Sequence, residues 1–322
     1  MNNSYINLAQ PRLGAKVVHA TDDFFADKAR LIRPETPVFV PEKYDENGKW
    51  MDGWESRRKR IPGHDHCTIR LGQPGLVFAL QIDTAHFTGN FPPFASVEAC
   101  LFDGDIPPEN QNWTQILAKS ELQGDSQAEF NSTQSGPFSH IRLHIYPDGG
   151  VARLRVLGRI DRDWSKVGVT EIVDLAALEQ GGRPLGCNNA HFGVPENMIA
   201  PGTGKNMGDG WETRRRRKPG HDWAVLALAH PGVIEEILLD TKHFKGNYPD
   251  RFFLQAALCD GLSDEQILAQ AKDWPVLLAE QKCSADSEHL FEISSKKPVS
   301  HVRLNIIPDG GVSRLRLLGH IV

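Results

Sequence analysis

Paired cysteines are missing from this chain. Five cysteines stand among 322 residues (Cys67, Cys100, Cys187, Cys259 and Cys283), none of them in a C-x-x-C pair. An odd count without matching spacing argues against a disulfide framework and against a zinc site, and it suits a reducing compartment. Long apolar runs are also absent: nothing approaches the roughly 18 residues that a membrane helix needs. The opening MNNSYINLAQPRLG has neither the basic nor the apolar segment of a secretory signal. The expectation is a cytoplasmic protein with no membrane partner. A surplus of basic charge is lacking too. With 36 Lys and Arg against 41 Asp and Glu, the formal net charge is −5. The arginine-rich stretches are therefore local features, not a face able to neutralise many phosphates, and no nucleic-acid partner is expected.

What the sequence does hold is a second copy of itself. DGWESRRKRIPGHD (52–65) returns as DGWETRRRRKPGHD (209–222), identical at eleven of fourteen positions. INLAQPRLG from Ile6 matches VDLAALEQG from Val173, DTAHFTGNFP matches DTKHFKGNYP, and SHIRLHIYPDGGVARLRVLG (139–158) matches SHVRLNIIPDGGVSRLRLLG (300–319). Copy one carries an excess of ten residues within RPETPVFVPEKYDENGKWM, and copy two an excess of four between Gly261 and Ser300. Insertions between matched blocks are the mark of loops joining packed elements. Two domains follow, 1–165 and 166–322, with the boundary in DRDWSKVGVTEI.

Within each copy the dominant period is two. His140, Arg142 and His144 alternate with Ile141, Leu143 and Ile145, PDGG makes a tight turn, and Ala152, Leu154 and Val156 then alternate with Arg153 and Arg155. LVFALQIDT and VIEEILLDT read as further strands, TIRLG and AVLALA as shorter ones. Helix is expected only in IVDLAALEQGG, with its Gly C-cap, and in DEQILAQA. Many short strands and few helices predict an all-β fold, a tandem pair of antiparallel jelly-roll β-sandwiches.

The polar residues carried through both copies supply the candidate site. His64, Glu55 and Asp65, with His221, Glu212 and Asp222 in copy two, are the candidate acid–base groups, because an imidazole near a carboxylate exchanges protons near neutral pH. Arg57, Arg58, Arg142 and Arg153, with Arg214, Arg215, Arg303 and Arg314, are the candidates for gripping an anion, since guanidinium holds carboxylate by two parallel hydrogen bonds. An equally direct reading has these arginines pairing with the repeated acids to lock loops. Trp54 and Trp211 read as packing residues, and Asp148 and Asp309 as turn residues. His64 and His66 form one His-x-His, but Trp223 stands at the second position of copy two. That spacing does not support a required divalent metal, and no cofactor is expected.

Taken together, DGWExRRxRxPGHD, DTxHFxGN[FY]P and SHxRLxIxPDGGVxRLRxLG, in this order in both halves, resemble the allantoicase (allantoate amidinohydrolase) family over nearly the whole chain. The resemblance implies galactose-binding-like jelly rolls and the hydrolysis of allantoate to ureidoglycolate and urea in purine breakdown. It also implies a small-molecule partner, allantoate, and a homo-oligomer. On that reading Arg57 or Arg142 holds the substrate carboxylate, Glu55 or Asp65 accepts from ureido N–H groups, and His64 with a neighbouring acid moves the protons. Which copy holds the site stays open. The rival class is a non-catalytic tandem ligand- or carbohydrate-binding module, although the repeated loop residues are mainly charged rather than aromatic.

Overall fold

In the computed structural model, which describes residues 5–322, the chain divides into two compact units, Tyr5–Arg162 and Asp163–Val322. Each is an antiparallel jelly-roll sandwich built about one 19-residue strand. The strands of the eight-stranded sheet in the first unit are β1 (Ile6–Asn7), β2 (Lys16–Ala20), β3 (Asp65–Asp83), β4 (Phe94–Cys100), β5 (Thr114–Glu121), β6 (Gln127–Asn131), β7 (Phe138–Tyr146) and β8 (Arg153–Ile160). The long strand β3 serves both layers. Its first part lies between β2 and β7, with β4 and β5 beyond; its second part lies between β6 and β8, with β1 outside.

TIRLG and LVFALQIDT, read as separate strands, are thus one strand that passes from one layer to the other. The crossing needs glycine. A Cβ on Gly75 would stand 2.6 Å from Leu8 Cδ1 and 2.9 Å from the Arg159 carbonyl oxygen, and one on Gly232 of the second unit 2.5 Å from the His320 carbonyl oxygen. The period-two pattern of β7 gives the expected inner face: Ile141, Leu143 and Ile145 are fully buried, beside Cys67 and Ile69 of β3 and Val97 of β4. Leu80, Ile82, Leu154 and Val156 belong to the other layer and are also buried. Each such aliphatic side chain contributes about 1.5–3 kcal/mol.

The second unit repeats the order with β9 (Val173–Asp174), β10 (Arg183–Cys187), β11 (Asp222–Asp240), β12 (Arg251–Ala257), β13 (Val276–Lys282), β14 (Glu288–Glu292), β15 (Val299–Ile307) and β16 (Arg314–Ile321). The segment of this copy that carries the four-residue excess includes the helix Asp264–Gln270, closed at its start by a capping box between Ser263 and Gln266. Ile267 of that helix packs with Val225, Ala227 and Trp274, so the outer side of this layer is roofed by an apolar cluster. The helix expected over 172–182 does not form. Val173 and Asp174 pair with β16 instead, leaving only a 3-10 turn, Leu178–Gln180, that ends on Gly181 at φ 111°. Strand pairing has overridden local propensity there.

A further expectation fails at β8. Alternation placed Arg153 on an open polar face, yet it is 1% exposed. The segment around residues 30–52 folds over it, and its guanidinium donates to the carbonyl oxygens of Arg30, Glu35 and Asp52 and to the Asp52 carboxylate at 2.7 Å. In the second unit Arg314 is held the same way by Gly202, Asp209 and Ser313.

Candidate active site

The turn at 147–150 organises the chemistry of the first unit. Gly150 pairs with Glu55, the Ser56 amide donates to the Gly149 carbonyl, and the Asp65 amide donates to the Pro147 carbonyl. Glu55 and His64 therefore flank one turn, on opposite sides of it. Gly150 is obligatory, because a Cβ there would lie 1.9 Å from the Phe87 ring. Asp148 serves the turn by accepting the Lys59 amide at 2.7 Å, and Trp54 is fully buried with its indole N–H on the Asp22 carbonyl.

On one flank lies a cavity of about 400 Å³ whose lining includes Phe39, Lys49, Glu55, His86, Thr88 and Asn90. That volume suits a small metabolite. Asn90 donates to Glu55 Oε1 at 2.7 Å. Burial pushes the Glu55 carboxyl above its ordinary range, more than the Asn90 hydrogen bond pulls it down. Lys49 lies over the Phe39 ring, with its ammonium 4.5 Å from the centroid. His86 is held in the left-handed region at φ 69°, its amide donating to Asp125 and its Nε2 3.2 Å from the Pro37 carbonyl oxygen. His243, at φ 72°, is held likewise by Asp286 and Gly204. Strain kept at the same place in both units is a feature of the loop rather than an accident of one copy.

On the other flank the outer side of β7 carries a chain of ionisable groups. His64 Nε2 lies 2.9 Å from His144 Nδ1, and His144 Nε2 lies 3.1 Å from Glu98 Oε1, an ion-pair separation that is off the ideal hydrogen-bond line. Arg142 reaches the same Glu98 oxygen at 3.2 Å and stacks on Trp113 at 4.0 Å. Tyr146 lies against His64, with 4.4 Å between ring centroids. In the neutral tautomer that turns its Nε2–H toward Glu98, His144 offers its bare Nδ1 to the Nε2–H of His64, whose own Nδ1 is then a free base. Burial, then the neighbouring His144, lowers the His64 pKa from its ordinary value. Glu98 stays below the usual carboxylate range: burial would raise it, but His144 and Arg142 outweigh that.

The second unit keeps this geometry and removes its charge. His221 Nε2 meets Asn305 Oδ1 at 3.0 Å, and Asn305 Nδ2 donates to Gln255 Oε1 at 3.1 Å. Gln255 in turn donates to the carbonyls of Lys272 and Trp274, which fixes every amide in the series. Asn305 thus stands for His144 and Gln255 for Glu98. Only the first unit can move a proton along this path.

The remaining sequence candidates are scattered. Asp65 and Asp222 are each 1% exposed; Asp65 binds Lys59 and Thr21, and Asp222 binds Arg216 and Asn188, so neither touches the His64 or His221 ring nitrogens. Arg57 pairs with Asp22 at 2.7 Å. Arg58 is exposed. Arg303 lies over Trp223 at 4.8 Å. Glu212 repeats the Glu55 contact, accepting from Asn247. Arg214 and Arg215 line a separate cationic hollow. Arg153 and Arg314 are interior structural groups, 1% and 3% exposed and bonded to carbonyls and a carboxylate, so the expectation that they grip substrate is corrected: burial leaves them no open face for a ligand.

A family model described as "Allantoicase repeat" matches residues 6–161 and again 173–322. The chain belongs to the allantoicase family. Among curated relatives, "Probable allantoicase 2" of Burkholderia pseudomallei is 54% identical over 319 residues, covering 98% of this chain and 95% of that one. "Probable allantoicase" of Pseudomonas fluorescens (strain Pf0-1) is also 54% identical over 319 residues, covering 98% and 96%. The crystal structure of allantoicase from Saccharomyces cerevisiae superposes with a TM-score of 0.84 at 36% identity, covering 98% of this chain and 93% of that chain. Among the described residues of this allantoicase-family chain, no helix is long and apolar enough to cross a membrane, and no group of three or more His, Cys, Asp or Glu is placed to hold a metal ion.

Sequence reasoning did not single out Lys49, Glu98 and His144 as candidates. Matching the chain to itself selects residues that agree between copies. Glu98 against Gln255 and His144 against Asn305 disagree by a titratable group each, and that disagreement was the available signal.

One consequence concerns pH. Burial first, then the Arg142 charge, lowers the His66 pKa from the ordinary 6.5 to about 4. The unfolded chain therefore takes up a proton below 6.5 that the folded chain refuses until about 4. The neutral imidazole contributes stability above the unfolded value, and that contribution is lost as pH falls through this window. Replacing His66 with Gln is expected to flatten the fall of Tm there, and an NMR titration places the His66 midpoint. A midpoint near the ordinary value rules this account out.

Proposed function

We propose that the chain hydrolyses allantoate to ureidoglycolate and urea, with the first unit handling the chemistry. The observation that carries this reading is the cavity in which Lys49, Glu55 and Asn90 meet, in a chain that belongs throughout to the allantoicase family. Allantoate bears one carboxylate and two ureido arms on a single carbon. The Lys49 ammonium attracts the carboxylate into the half-enclosed cavity. Asn90 occupies Glu55 Oε1, leaving Oε2 to face a ureido group.

The reaction breaks one C–N bond and forms one C–O bond. Water loses a proton, and the nitrogen of the departing urea gains one. A carboxyl group raised by burial is better suited to deliver that proton than an ordinary carboxylate is. His64, on the other side of the same turn, is the second group able to take one up through its free Nδ1.

Purified protein incubated with allantoate is expected to release urea in equal amount to the allantoate consumed, and to keep that turnover after treatment with chelator. No urea above the uncatalysed rate would remove the proposal and leave a binding module in its place.

A further inference from the structure

The basic loop of the second unit forms a hollow unlike its twin in the first. Asn189, Arg214, Arg215, Arg216, Arg217, Lys218 and Asp222 line a space of about 470 Å³. In the first unit the corresponding loop is partly neutralised from within. Arg57 bonds Asp22 through Nε and Nη2 and lies over Phe24, Lys59 pairs with Asp65 at 2.5 Å, and exposed Ile61 closes the segment. In the second unit Asn189 replaces Asp22, and Lys218 replaces Ile61. Four cations facing two carboxylates have become five cations facing one.

The partners of those five are few. Arg216 pairs with Asp222 at 2.7 Å, yet its Nε is buried without a hydrogen-bond partner among the described residues. Arg214 donates its backbone amide to Asn189 and meets His191 Nδ1 at 3.0 Å. Arg215, Arg217 and Lys218 have no ion-pair partner among the described residues. Concentrating like charge in one concavity costs free energy unless an anion enters. The excess is also too large for a monocarboxylate, which one bidentate guanidinium would satisfy.

We propose that this hollow binds a small multivalent oxyanion of the phosphate class, with two or more phosphoryl groups, at a site separate from the Glu55 cavity. Planar guanidinium groups match phosphoryl oxygens bidentately, and the volume accommodates an anion of diphosphate size with its remaining substituent outside. A long polyanion is disfavoured by the net charge of −5 on the whole chain.

The test is calorimetric titration of the full chain with inorganic pyrophosphate at low ionic strength, followed by the same titration of the double variant Asn189→Asp, Lys218→Ile. Those substitutions restore residues that the first unit already accommodates, so the fold should tolerate them, and a melting curve of the unliganded variant verifies it. Saturable binding by the wild type, weakened at least tenfold in the variant and weakened further by salt, supports the proposal. Equal affinity in both proteins overturns it, as does binding of a single-stranded oligonucleotide without any of pyrophosphate. A response that chloride reproduces at equal ionic strength means an adventitious ion only, and likewise overturns it.

Discussion

Glu55→Gln is expected to lower kcat on allantoate by about 10²–10⁴ with little change in KM, the usual contribution of a positioned proton donor. The amide keeps the size of the side chain and can still bond Asn90, so binding survives while proton transfer does not. Glu212→Gln should cost much less. Glu212 also meets an asparagine, Asn247, but the third residue before its DGW block is Asn206, where copy one has Lys49. The same substitution tests the sign of the linkage. The carboxyl of Glu55 is raised in the folded chain, so its protonated form adds stability at low pH that is lost as pH rises through the folded value. Glu55→Gln removes that loss and should leave Tm at neutral pH unchanged or higher. A Glu55→Gln protein with wild-type kcat would dismiss this carboxyl from the chemistry.

The largest effect on stability belongs to Arg153. Its side chain and that of Asp52 are 2% and 5% exposed and lie 2.7 Å apart. Burial alone would raise the Asp52 carboxyl, but the Arg153 bond and the Val38 amide hold it below the usual range. Arg153→Met leaves that carboxylate without its buried charged partner and several carbonyls without a donor, which costs about 3–5 kcal/mol. Denaturant unfolding measures the loss, and the double variant Asp52→Leu, Arg153→Met should recover part of it. An Arg153→Met protein of normal stability that binds allantoate poorly would return this residue to the substrate.

The duplication, the sandwich and the strand faces were legible because they rest on periodicity and on repeated blocks. Ile141, Leu143 and Ile145 needed nothing beyond alternation to be placed inside. Arg153 was misplaced for the complementary reason: alternation says which side of a sheet a residue takes, not whether a distant segment covers that side. His64 was picked from its motif, but its partner, His144, lies eighty positions away along the chain and becomes adjacent only through the pairing of β3 with β7. Lys49 falls in the segment that holds the length excess of copy one, where the two copies differ in residue type and self-comparison had no match to follow.

The helix Asp264–Gln270 carries a consequence for how the two halves can change. A sheet roofed by Ile267 and Trp274 has little free side on which to receive a small molecule, and substitutions beneath that roof are judged by packing and by the Asn305–Gln255 hydrogen bonds. The matching side of the first half's sheet carries the ionisable Glu98, Arg142 and His144, with Trp113 against Arg142. One ancestral plan has thus kept its ionisable chain in one half and exchanged it for amides in the other, and variation in this chain should be constrained by different demands on either side of Asp163.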